Sequence, residues 1–312
     1  MLDINKIQNA VDEAYEKYQL SSGGVNASYI PFLADIPSDL TALAVVTVDG
    51  AIISAGDSEY RFAIESLSKL CTLALALEEL GPKEIQEKIG TDPTGLPFTS
   101  IMAIELHGGK PLSPFVEAGA MATVSTIKSS SSEERWNKIL CMQQEIAGSQ
   151  EIKLCEALNT SEQTTNFRNK GVSWLLHSYG NMYCDPMEAC DIYTRQCSTL
   201  ININELATIG ATFAAKGYNP ITKKQVLNQD NIQHILAEMM MEGLYDGSGN
   251  WAYHVGLPAK SGVGGGLLAV VPGVMSIAAF SPPLDRHGNS VKGQKMISSV
   301  AKSLGYNLFN PN

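Results

Sequence analysis

The sequence predicts an α/β protein whose antiparallel sheet is assembled from both ends of the chain, with an all-helical lobe between them. Three observations predict it. Short apolar runs broken by Gly and Pro cluster at residues 40–57 and again at 254–283. The long segment between them carries helical periodicity and little strand signal. An amphipathic helix lies close to each end of the chain.

The opening stretch MLDINKIQNAVDEAYEKYQ reads as a helix with Leu2, Ile7 and Val11 among its apolar positions. LTALAVVTVDGAIISAGD then reads as a hairpin, because Asp49-Gly50 between two β-branched runs signals a tight primed turn. Ser66 opens the helical run LSKLCTLALALEELG, which stops at Gly81-Pro82. SSEERWNKILCMQQEIAG begins with serines and acids and ends at Gly148, as a capped helix does. NINELATIGATFAAKG and NIQHILAEMMMEG have the same form. HVGLPAKSG, GGGLLAVVPG and VMSIAAFSPP read as three strands, and GQKMISSVAKSLGYNL as the closing helix. The sheet-containing lobe is expected over about 1–65 and 215–312 and the helical lobe over about 66–214, within one domain spanning 1–312. The cleft between two such lobes is a natural ligand site.

Composition narrows the function. The 312 residues carry a formal charge of −10 with no block of Lys or Arg, which repels phosphate backbones and excludes nucleic acid as the expected partner. The longest apolar runs, such as LCTLALAL, are too short to span a membrane. The first residues lack the pattern of a signal peptide, so a cytoplasmic location is expected. Six cysteines stand at no metal-ligand spacing and read as small core residues in a reducing compartment. No metal or cofactor is expected.

Ser66 and Lys69 lie three positions apart, so one helix face presents both. A serine hydroxyl becomes a nucleophile when a base takes its proton. A lysine is that base only when neutral, which burial or a nearby positive charge brings about. S-x-x-K alone is a weak signal, since the tetrapeptide recurs by chance. Lys260-Ser261-Gly262 on a predicted strand changes the balance, because a K-[ST]-G strand after an S-x-x-K helix is the pairing of serine β-lactamases and penicillin-binding proteins. The lobe arrangement suits that fold. The glycines after Ser261 allow close backbone approach to a ligand, and the N–H of Val263 with that of Ser66 would form an oxyanion hole. Lys260 is expected to lower the pKa of Lys69 by repulsion.

Longer blocks are more specific. YIPFLA, GDSEYRFAIESLSK, PFVEAGAMAT, SEQTTNFRN, CDPMEACDIYTRQCS, MMMEGLYDGSG, VGLPAKSGVGGG and SPPLDRHGNSVKGQK together resemble the bacterial serine-dependent glutaminases over nearly the whole chain. The resemblance implies a β-lactamase-like fold, no cofactor, hydrolysis of L-glutamine to L-glutamate and ammonia, and assembly as a homodimer or homotetramer. It implies Ser66 as nucleophile, Lys69 as base, Tyr245 as a proton relay and the Val263 main chain as oxyanion donor. Around the amino-acid end of the substrate it implies Tyr29, Glu162, Asn169 and Tyr193. Glu162 suits an ammonium, while Asn169 and the phenols can donate to a carboxylate. Seven positions separate Glu162 from Asn169, two turns of a single helix face. Taken singly, each of these also fits an ordinary helix-end, solvated or core position.

One position departs from the resemblance. Glu117-Ala118-Gly119-Ala120 stands where the family pattern reads N-A-G-A, with an asparagine that helps hold the substrate. An ionised glutamate donates no hydrogen bond and places negative charge near the substrate carboxylate. Two alternatives therefore stand beside glutamine hydrolysis: a penicillin-binding-like acyltransferase, and a non-catalytic amino-acid binder disabled by Glu117.

Overall fold

A computed structural model describes residues 3–310, so Leu2 lies outside the described residues. Asp3 caps the first helix, α1 (Ile4–Tyr18), by accepting from the Lys6 N–H, and Ile7, Ala10, Val11 and Ala14 form its buried stripe. The hairpin follows as β1 (Ala42–Thr47) and β2 (Ile52–Gly56). Its connection is longer than the predicted two-residue turn. The last strand pair is Val46–Ile52, Thr47 N–H donates to the Ala51 carbonyl at 3.0 Å, and Gly50 takes φ 92°. Asp49 does not take the positive φ that a type I′ turn demands, so Gly50 alone supplies the left-handed residue of a longer loop.

Strands β3 (Ala259–Ser261), β4 (Gly266–Val271) and β5 (Met275–Phe280) complete an antiparallel sheet in the order β2-β1-β5-β4-β3. Val45 pairs with Ile277 and Lys260 with Leu268, so the N-terminal hairpin docks directly on the C-terminal strands. β1, β4 and β5 are buried along their whole length. One sheet face, with Val45, Leu267 and Ile277, packs on α1 and on the closing helix Val291–Leu304. The opposite face, with Val46, Leu268 and Phe280, packs on the helix Ile203–Ala214 and continues into the core of the helical middle. That two-sided cover explains why these strands read as continuous apolar runs.

Three helices of the middle matter for the site: α2 (Ser68–Leu80), α3 (Glu117–Thr126) and α4 (Glu156–Gln163). With them stand α5 (Phe167–Ser178), α6 (Pro186–Cys197) and α7 (Gln229–Glu242). The run at 131–148 is capped as expected, by Ser131 at its start and by left-handed Gly148 at its end. A capping box of Asn202 and Glu205 starts the helix that covers the sheet. Of the six free cysteines, Cys71, Cys190 and Cys197 are buried, while Cys155 and Cys184 are half-buried and Cys141 is exposed. The core reading therefore fails for Cys141. Among the described residues no helix is long and apolar enough to cross a membrane.

Candidate active site

Ser66 lies on a single 3₁₀ turn, Glu65–Leu67, immediately before α2 rather than within its first turn. Two short backbone stretches carry strain here. Glu65 takes φ 50° and Tyr245, which starts the 3₁₀ turn Tyr245–Gly247, takes φ 57°. Side chains larger than glycine hold such angles only where the surroundings impose them. The glycines after Ser261 serve this same place. A Cβ on Gly262 would stand 2.8 Å from the Ile64 carbonyl, and one on Gly264 would meet the Ala63 carbonyl. The close approach is thus to the turn that carries Ser66, where the sequence suggested a ligand.

A cavity of about 490 Å³ opens over this turn. Ser66, Val263, Tyr29, Glu117, Glu162, Asn169 and Tyr193 all line it. Lys69 and Tyr245 do not; both are fully buried behind Ser66. The structure therefore brings seven of the nine sequence-predicted site residues to one cavity and places the other two beneath it. Glu162 and Asn169 reach it from two helices, α4 and α5, instead of one. α4 ends at Gln163 with Thr164 as its C-cap, and the hydroxyls of Thr164 and Thr165 bond back to carbonyls of residues 160–162 at that end.

Lys69 Nζ donates to the Phe115 carbonyl at 3.2 Å and sits 5.6 Å from the centre of the Tyr193 ring. Burial pulls its pKa below the usual lysine range, against the opposing charges of Cys197, Glu117, Glu65 and Glu242. Lys260 donates to the Ser261 carbonyl at 2.6 Å and stands 4.3 Å from the centre of the Tyr245 ring. Its pKa is pushed down further, first by burial and then by Lys69. The expected repulsion between the two lysines thus falls on Lys260, while burial accounts for Lys69. Burial raises the Tyr245 pKa and the neighbouring Ser66 hydroxyl draws it back; the phenol donates to the Ser261 carbonyl at 3.4 Å, and its ring stacks on Phe98 at 4.1 Å. Among the described residues no backbone carbonyl accepts from the N–H of Ser66 or of Val263.

The cavity is rich in acids. Glu162 accepts from the Ser198 hydroxyl at 2.9 Å, yet burial pushes its pKa up to about 7. Glu65 is raised well above the carboxylate range by burial and by Glu162. Glu117 starts α3, and its Oε2 is buried with no hydrogen-bond partner. Its pKa is raised by burial and held back by Lys69 and Arg168. Tyr29 stands at the rim, 60% exposed. Sequence reasoning missed Glu65, Phe98, Arg168, Cys197 and Arg286, which also line the cavity. Glu65 and Arg168 adjoin Ser66 and Asn169 in the chain, a signal that was available. Among the described residues no three His, Cys, Asp or Glu side chains cluster as metal ligands.

The arrangement can activate a serine, stabilise an oxyanion and bind a zwitterion. The chain is also similar over its length to known proteins. A family model described as Glutaminase matches residues 24–309. Glutaminase 1 of Shigella flexneri is 66% identical over 309 residues, covering 99% of each chain. The glutaminase of Bordetella avium is 60% identical over the same length, again with 99% of each chain covered. A solved structure titled as a probable glutaminase superposes with a TM-score of 0.98 at 65% identity, covering 99% of this chain and 100% of the other. A probable glutaminase of Bacillus subtilis superposes with a TM-score of 0.87 at 27% identity, covering 97% and 96%.

Proposed function

The chain belongs to the glutaminase family, with its β-lactamase-like fold, and hydrolyses L-glutamine to L-glutamate and ammonia; we propose that it does so through an acyl-enzyme on Ser66. The observation that carries this is the Ser66 hydroxyl lining the cavity, with the buried Tyr245 phenol and a lysine whose charge burial disfavours behind it.

In this reading neutral Lys69 takes the Ser66 proton as Oγ attacks the side-chain amide carbon. The developing oxyanion accepts from the unpaired N–H groups of Ser66 and Val263. Tyr245 hands a proton to the nitrogen, the C–N bond breaks and ammonia leaves. Water then attacks the glutamyl ester and gives its proton to the Tyr245 phenolate, and Ser66 recovers its proton from Lys69 as the C–Oγ bond breaks and glutamate departs. Glu162 pairs with the substrate ammonium, while Asn169, Tyr29 and Tyr193 donate to its carboxylate. Glu117 opposes that carboxylate when ionised.

The penicillin-binding-like and non-catalytic readings give way, since the full-length relatives are glutaminases. Six free thiols support a reducing, cytoplasmic location. Exposed apolar side chains such as Met102, Leu106 and Trp174 support assembly of two or four copies. The mechanism is tested by acid-quenching the enzyme during turnover and weighing the peptide that contains Ser66. A glutamyl adduct on that serine is the expected result, and its absence while ammonia is being released would remove the acyl-enzyme.

A further inference from the structure

Two buried lysines beside each other need compensating charge, and neither has an ion-pair partner among the described residues. The acids facing Lys69 from the cavity side are Glu65 and Glu117, and substrate changes their surroundings whenever it binds. Glu242 differs. It is 2% exposed, lines no part of the cavity, and ends α7, which packs against both α2 with Lys69 and β3 with Lys260. The junction is fixed, because the Ser261 N–H donates to the Gly243 carbonyl at 3.1 Å. The Thr94 N–H donates to Glu242 Oε2 at 3.1 Å. One turn earlier, Glu238 accepts from the Ser113 hydroxyl at 3.0 Å. That hydroxyl accepts from the Phe115 N–H, and the Phe115 carbonyl is the acceptor for Lys69.

We infer that Glu242 is a positioning residue that supplies buried negative charge behind Lys69 and Lys260. The inference rests on Lys69 acting as the base. Around Glu242 stand Lys260 from β3, Lys69 from α2, Asp246 from the turn after α7, and Glu238 on its own helix. Burial raises the Glu242 carboxyl, while the Thr94 N–H, Lys260 and Lys69 hold it back toward ionisation. Its charge in turn favours protonated Lys69 and Lys260.

The test is Glu242→Gln, which keeps an oxygen for the Thr94 N–H and removes the charge. The rising limb of kcat/KM against pH should move to lower pH, with the rate at a fixed pH on that limb increasing about two- to tenfold. Glu242→Asp, which keeps the charge, should leave the limb in place. If the amide is not tolerated, Glu242→Leu gives the same readout without a buried unpaired charge. A limb unmoved in the charge-free variant, with only the melting temperature lowered, would reduce Glu242 to scaffold and overturn the inference. Lys69→Met separates the two readings. If that variant stays active, the base assignment fails; if it is inactive and the Glu242→Gln limb is unmoved, only the present inference fails.

Discussion

Lys69 gives its hydrogen bond to the main-chain oxygen of Phe115, at 3.2 Å, and so is anchored in a buried position one helical turn behind Ser66. Among the described residues no carboxylate pairs with it directly, which is the setting in which an amine can accept a proton. Ser66→Ala should abolish turnover with the fold intact, because a methyl forms no acyl-enzyme. Lys69→Ala should lower kcat by about 10²–10⁴-fold. Purified variants assayed for ammonia, with circular dichroism as the folding control, give the answer; a loss of only a few-fold at Lys69 would assign the base elsewhere.

Activity should rise with pH. Lys69 is inactive as a base while protonated, and burial lowers its pKa, so the neutral form appears below the usual lysine range. A kcat/KM profile with chemistry rate-limiting should climb before pH reaches the ordinary lysine value of about 10.4. A profile flat from acid to alkali contradicts a lysine base.

Glu162 predicts a parallel trend in binding. Its carboxyl, pushed up to about 7, is neutral at lower pH and then attracts the substrate ammonium poorly. KM for glutamine should therefore climb as pH falls through about 7. Glu162→Gln should raise KM by about one to two decades, the size of a charged hydrogen bond of about 1.5–3 kcal/mol, and remove that pH dependence. Initial-rate KM values across pH for both proteins check it.

Glu117→Asn should lower KM or raise kcat/KM, again by about one to two decades, because it removes a carboxylate opposing the substrate carboxylate and adds an amide donor. Burial raises the Glu117 pKa, so the native side chain repels least when protonated at low pH. The advantage of asparagine should accordingly be largest at alkaline pH and shrink on acidification. Equal kcat/KM values at every pH would return Glu117 to the scaffold.

The legible parts of this protein were those set by short-range pattern. Turn residues and apolar runs located the five strands of the main sheet, though not the small sheet joining 62–63, 153–154 and 199–201; Lys69 and Lys260 stand on the helix and strand their spacing predicted, and Ser66 on the turn just before that helix. What escaped depended on three-dimensional proximity or on local competition. Glu242 and Lys69 are far apart in sequence and stand on neighbouring helices only because α7 packs on α2. A turn at 164–166 separates the helix of Glu162 from that of Asn169, where the spacing had suggested a single helix. The Gly262 and Gly264 requirement came from the chain at 63–64, which no neighbouring residue in sequence reveals.

The pairing of Val45 with Ile277 also sets a timetable for biosynthesis. During translation β1 and β2 emerge early, yet the strand that covers the open edge of β1 is completed only at residue 280. At about 5–20 residues per second the wait is roughly 10–50 s. Throughout it the fully apolar stretch Ala42–Val46 remains an unpaired edge of the kind that recruits other chains. The nascent protein is thus most vulnerable to aggregation in its first fifth, and truncated products lacking the last strands should depend on chaperones or precipitate.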